Sequence, residues 1–221
     1  MVTRAIGGRS RHVRSATILV LVVVAILTGA VVIGVLTGGL NVHGTEPSRD
    51  PIRMTSRASW EPTTLQERID RSELIMEGIV GEPYPSRWNT QSGALPAGAT
   101  YETVRDMNLV ILTDYLVKVT EVLKGTVSES TVRVRVIGGK VEQDSYDGDR
   151  DAQLRPDERV VLLLTAEDTG LLDGGAAHYT TVYGPFAKYA IEDGQAVLAF
   201  GSEKLESLPA PILRRQVRDS R

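Results

Sequence analysis

The chain has 221 residues, of which 25 are basic and 28 acidic, and it contains no cysteine. This length holds one modest domain plus appendages, and the lack of thiols excludes disulfides, a thiolate nucleophile, thiolate-held iron–sulfur clusters and Cys-ligated zinc. The net charge of −3 hides an asymmetry: residues 61–201 carry 23 acidic and 13 basic side chains, a net of −10, and the flanks carry the other 12 basic and 5 acidic ones. An acidic domain between basic ends argues against a nucleic-acid partner, because it has no basic face to release phosphate counterions.

Residues 1–15 contain Arg4, Arg9, Arg11 and Arg14 and no acid, and residues 16–40 are almost wholly apolar. Twenty-five residues at about 1.5 Å each make a helix of roughly 37 Å, enough to cross a hydrocarbon core of about 30 Å with tilt. The expectation is a single transmembrane helix over 16–40, a cytoplasmic N-terminus and an exported C-terminal bulk at the cell membrane. The rival is a cleaved signal peptide ending near Thr28-Gly29-Ala30, although the apolar run continues well past that point. A lipoprotein anchor is excluded by the missing cysteine. Ala30, Gly34 and Gly38 recur every four residues on one helix face, a spacing that suits close approach of two membrane helices and therefore a homodimer. Residues 41–62 are polar, with Pro51 and Pro62, and read as a flexible stalk.

The domain expected over 63–201 opens with Thr64-Leu65-Gln66-Glu67, a capping box for one short helix docked through Leu65 and Ile69. Leu74–Val80 is the first strand. Glu82–Asp106 is a long interruption rich in Pro, Gly and Ser, and it bears Tyr84, Trp88 and Tyr101. Trp88 has two readings: an exposed anchor for a partner, or a lid folded back on the core, which is the plainer one. Leu109–Leu123 is the second strand. In it Tyr115, Val117 and Val119 alternate, and Val122 falls out of phase, which predicts a β-bulge near Thr120 or Glu121. Thr131–Ile137 is the third strand, with Val132, Val134 and Val136 on one face and Thr131, Arg133 and Arg135 on the other. Lys140–Arg155 reads as an acidic loop. The unbroken apolar run of Arg159–Leu164 predicts a fully buried fourth strand. His178–Tyr183 is the fifth, and a hairpin closes around Asp193-Gly194. Residues 202–221 form a basic tail with room for a short helix over Ile212–Val217.

The chain carries no G-x-S-x-G, H-E-x-x-H, G-x-x-x-x-G-K-[ST] or G-x-G-x-x-G motif, so serine-hydrolase, zincin and phosphate-cradle chemistries have no support. His178, the one histidine of the domain, lies inside a strand and is expected to be half solvated. One constellation carries a physical argument. Asp147, Asp149 and Asp151 stand at positions 1, 3 and 5 of a possible calcium loop, with Gln153 at 7 and Glu158 at 12, where a bidentate carboxylate belongs. Ala152 in place of the turn glycine, Pro156 inside the loop and flanking strands weigh against it. A solvated acidic loop is the plainer reading.

The succession Ser72–Val80 (S-E-L-I-x-x-G-x-V), Thr113–Gly125 (T-D-Y-x-x-x-V-x-E-V-L-K-G), Val132–Gly139 (V-x-V-x-V-x-G-G) and Pro156–Leu164 resembles the netrin-like modules related to the tissue inhibitors of metalloproteinases, and the bacterial membrane-anchored proteins that share the pattern. The resemblance spans about 65–198 and implies a mainly β fold: a small five-stranded OB-like barrel with an added hairpin and one short helix. The inhibitors act through an N-terminal cysteine ridge. This chain has no cysteine, so the resemblance does not carry over that mechanism. OB barrels also bind oligonucleotides or sugars. The expected function is a binding or interaction module with a protein or glycan partner, not an enzyme. The alternatives are a calcium-dependent enzyme or adhesion domain using residues 144–158, or a structural envelope protein.

Overall fold

The computed structural model describes residues 49–56, 63–148, 151–166, 177–200 and 203–220. The expected membrane segment 16–40, its Ala30, Gly34 and Gly38, and Asp149 of the acidic loop lie outside the described residues. Among those that are described, no helix is long and apolar enough to cross a membrane.

Five strands close a barrel. They are β2 (Leu74–Pro83), β4 (Ile111–Lys124), β5 (Thr131–Ile137), β8 (Arg159–Ala166) and β9 (Tyr179–Thr181). β2 pairs antiparallel with β4 and with β8, β4 pairs with β5, β9 lies parallel to β5, and β8 meets β9 to complete the ring. In order along the chain, the first strand is flanked by the second and fourth, and the fifth sits between the third and fourth. The interior is filled by Met76, Val80, Val117, Val132, Val134, Val136, Val160, Leu162 and Leu164. These are the apolar members of the period-two patterns.

β8 is buried on both faces, which is why its sequence is a continuous apolar run. Val160, Leu162 and Leu164 point into the barrel, whereas Val161 and Leu163 enter a second core outside it. That outer core is roofed by β10 (Lys188–Glu192), β11 (Gln195–Phe200) and β12 (Glu203–Pro209), by helix α1 (Leu65–Arg71) and by helix α3 (Ala210–Asp219). The hairpin at Asp193-Gly194 has φ of 49° and 78° at its two central residues, the left-handed pair that a tight two-residue turn requires. The bulge also falls where the phase break places it. Gly78 pairs with Val119 and Glu77 with Glu121, leaving Thr120 unpaired.

The capping box forms: the Thr64 hydroxyl accepts the Glu67 N–H at 3.2 Å, and the Glu67 carboxylate accepts the Thr64 N–H at 2.7 Å. Thr64→Ala is expected to lower stability by about 1 kcal/mol, read as a shift of the urea midpoint at unchanged slope.

Three regions read as irregular are ordered elements. Inside the expected stalk, Arg53–Ser56 forms β1, which runs parallel to β7 (Asp144–Gly148). Four residues with one apolar side chain do not hold a strand alone. Asp144 supplies the anchor, accepting from the Ile52 N–H at 2.9 Å and from the Arg49 guanidinium. The expected acidic loop begins as a hairpin of β6 (Gly139–Val141) and β7. The long interruption contains β3 (Arg87–Trp88) and helix α2 (Tyr101–Asp106), over a third core of Ile52, Trp88, Val104, Leu109 and Tyr146. The C-terminal segment belongs to the domain as well. α3 buries Ala210, Leu213 and Val217, and its Arg214 bonds the buried carboxylate of Glu77 at 2.7 Å.

Candidate functional site

The outer face of β4 and β5 gathers the polar groups that the barrel does not use. The register sets Asp114 opposite Arg135, Leu116 opposite Arg133 and Lys118 opposite Thr131. Because the valines of β5 point inward, its arginines must point outward. Arg135 is nonetheless fully buried, since neighbouring chain covers it. Its guanidinium grips Asp114 in a two-pronged bond, Nε to Oδ1 at 2.6 Å and Nη2 to Oδ2 at 2.9 Å, the geometry in which Arg matches a carboxylate best. Arg133 donates to the same Oδ2 at 3.2 Å, and Arg87 Nη2 lies 3.9 Å from it.

Burial alone would raise the Asp114 pKa, but the bonds and charge of Arg135, with Arg133 and Arg87 behind them, carry it below the ordinary carboxylate range. Arg87 is pushed below its usual value by desolvation first and then by the nearby charge of Arg135. The Arg133 guanidinium stacks 4.8 Å from the ring centroid of Tyr84, which is exposed. Arg135 Nη1 lies 3.2 Å from His178 Nε2. A guanidinium has no acceptor, so Arg135 is the donor in this contact.

Beside this cluster a cavity of about 490 Å³ opens on the flank of the barrel, between β5, the β4–β5 turn and the start of β9. Its lining combines Leu116, Val127 and Val132 with the hydroxyls of Thr126, Ser128 and Thr131, and with Glu129, Arg133 and His178. A volume in this range, with an apolar floor and a few polar groups, suits a small ligand or a short stretch of chain.

Of the residues picked out for calcium, the described ones are Asp147, Asp151 and Glu158. Asp147 is exposed at the end of β7, and it shares a smaller cavity of about 230 Å³ with Asp151. Asp151 is buried and already holds the fold: it accepts the Ile137 N–H at 2.9 Å and the Thr181 hydroxyl. Glu158 is not part of that cavity and is paired with Lys188 at 2.8 Å. Among the described residues, no three His, Asp or Glu side chains are gathered as metal ligands. Trp88 is fully buried in the third core, with no acceptor for its indole N–H among the described residues. In this structure it is a lid on the core and presents no surface to a partner.

Asp114, Arg135 and Arg87 were missed in the sequence. A charged residue inside an otherwise apolar strand, as in Thr113-Asp114-Tyr115, was the available signal, since a mid-strand carboxylate needs a partner across the ladder. No family model matches the chain, and neither a curated protein nor a solved structure matches it.

Proposed function

We propose that this chain is a single-pass membrane protein whose OB-type barrel, carried outside the cytoplasm, is a binding module and not an enzyme. The cavity of about 490 Å³ on the outer flank of β5 carries this reading. It adjoins the second and third barrel strands, the face on which OB barrels take their ligands. The closure order of the five strands supports the OB assignment. The segments that carry the resemblance to netrin-like modules, Thr113–Gly125 and Val132–Gly139, overlap β4 and β5. The net charge of −10 over residues 61–201 directs the choice of ligand away from nucleic acid. The uncharged run of residues 16–40 and the basic segment before it support the anchor and its orientation.

The cysteine-free sequence makes the topology directly testable. Glu192 is an exposed strand residue, and Glu192→Cys introduces a single thiol. The expected result is labelling by a membrane-impermeant maleimide in intact cells, with the full-length chain in the membrane fraction. Labelling only after permeabilisation would place the domain in the cytoplasm and overturn the exported orientation.

A further inference from the structure

We infer that β7 and the third core form a slot for an extended segment running parallel to β7, and that residues 49–56 of this chain fill it as a releasable strap. The slot reads a cation, an apolar residue three positions on, and a second apolar residue two further. It shares no residue with the cavity beside β5 and stands independently of the binding-module reading.

The recognition is built from the β7 side. Asp144 is 1% exposed, and a buried carboxylate needs partners. Among the described residues its partners are Arg49 and Ile52, both in the strap. Oδ1 accepts the Ile52 N–H and Arg49 Nη1, each at 2.9 Å, and Oδ2 accepts from Arg49 Nη2, so the guanidinium is gripped at two points. Gln143 Nε2 donates to the Arg49 carbonyl at 3.0 Å, and the Ser145 N–H donates to the Ile52 carbonyl at 3.0 Å. Ile52 is 5% exposed and enters the third core with Met54, whereas Arg53 and Thr55 stay exposed. Beyond them Ser56 lies opposite Gly148, where a β-carbon would stand 2.4 Å from Ser56 Oγ and 3.1 Å from its carbonyl oxygen. Main-chain bonds, one charge pocket and alternate apolar seats are the means by which a sheet edge takes up an added strand.

The same contacts make residues 49–56 separable. β1 pairs with β7 alone, in a three-stranded sheet distinct from that of the barrel. Among the described residues its apolar burial is confined to Ile52 and part of Met54. The Arg49 side chain is 31% exposed, so water and salt reach the ion pair. Ser56 Oγ is buried with no partner among the described residues, so the polar anchor lies at the other end of the strap. Opening β1 breaks these contacts and none of the pairings among β2, β4, β5, β8 and β9. A unit with so few contacts of its own opens ahead of the global transition. Its release bares one edge of β7 and the seats of Ile52 and Met54, and a partner segment of the same pattern competes for them.

The test uses the full chain in detergent solution, a strap variant with Ile52→Ser and Met54→Ser, and the capped, labelled octapeptide Arg-Asp-Pro-Ile-Arg-Met-Thr-Ser. Binding is read by fluorescence anisotropy and opening by hydrogen exchange. In the wild type the Ser145 amide is expected to exchange at least about tenfold faster than the amides of β2 and β4. In the variant it is expected to gain at least about another tenfold, with β2 and β4 unchanged. The octapeptide is expected to bind the variant and to restore slow exchange at Ser145. It is expected to bind the wild type at least about tenfold more weakly, because the seated strap competes at high effective concentration. Replacing its first Arg by Glu is expected to weaken binding at least about tenfold, and adding Gly148→Val to the variant is expected to abolish it. Equal exchange at Ser145, β2 and β4 in the wild type, or their joint loss of protection in the variant, would overturn the strap, since β1 would then open only with the barrel. No binding of the octapeptide by the folded variant, or equal binding of the same residues in reverse order, would overturn the slot.

Discussion

Asp114→Ala is expected to destabilise the domain by roughly 3–5 kcal/mol, enough to leave a marginal protein largely unfolded. The carboxylate is the counter-charge for Arg135, which is fully buried, and it also accepts from Arg133. Its loss leaves a guanidinium in the protein interior with its strongest bonds unmade, and Arg87 and Arg133 add like charge nearby. The cost therefore lies in the orphaned cation more than in the lost pair. For that reason the double variant Asp114→Leu with Arg135→Met is expected to be more stable than Asp114→Ala alone. Urea unfolding of the three proteins measures this, and a double variant no better than the single one would show that the pair's geometry, and not charge burial, is what matters.

The same carboxylate sets an acid limit. Its folded-state pKa is depressed, so its contribution is fully present above the unfolded value, about 3.9, and is lost as the pH falls through the lower folded value. Wild-type stability is expected to fall on acidification below about pH 4, and the double variant is expected to show a flatter acid limb.

Gly125→Ala is the second large effect. Gly125 ends β4 with φ of +82°, and a β-carbon there would lie 2.3 Å from the Glu73 carbonyl oxygen and 3.3 Å from the Leu74 α-carbon. The obstacle is backbone of the first barrel strand and its entry, so no side chain can swing aside. Left-handed strain of about 1–2 kcal/mol adds to the displacement of the β2–β4 pairing, giving an expected loss of at least about 3 kcal/mol or failure to fold. Gly98→Ala separates the two contributions. Gly98 has φ of +72° with nothing within 4 Å of the added carbon, so it is expected to lose only the conformational part. Similar losses at the two sites would show that the clash with Glu73 is relieved by local adjustment.

Much of the barrel was legible because its strands carry their own instructions. Alternating valines in Thr131–Ile137 fix which face is buried, and the phase break between Val119 and Val122 locates the bulge at Thr120. The run Val160–Leu164 signals burial on both faces, Thr64 and Glu67 close a cap within one turn, and Asp193-Gly194 supplies two left-handed residues in succession. In each case the physical cause lies within a few residues, so the sequence alone determined it.

Tertiary structure decided what depends on distant partners. β1 exists because Asp144, some ninety residues later, holds Arg49 and the Ile52 N–H. α3 looks like a basic tail in isolation and docks because Glu77 and Glu121, on barrel strands, receive Arg214 and Arg218. Trp88 is buried because β1, β7 and α2 converge over it, an arrangement that no local pattern announces. The outer-face cluster is of the same kind. Asp114 and Arg135 meet because the β4–β5 register sets them opposite one another. The cavity lies beside the stretch of β5 where, among the described residues, β9 pairs at Val134 alone. Register and strand length are properties of pairs of segments, whereas periodicity belongs to one segment. The chain therefore determined by itself that it is a β protein, and only the assembled barrel decided where the cavity on its flank lies.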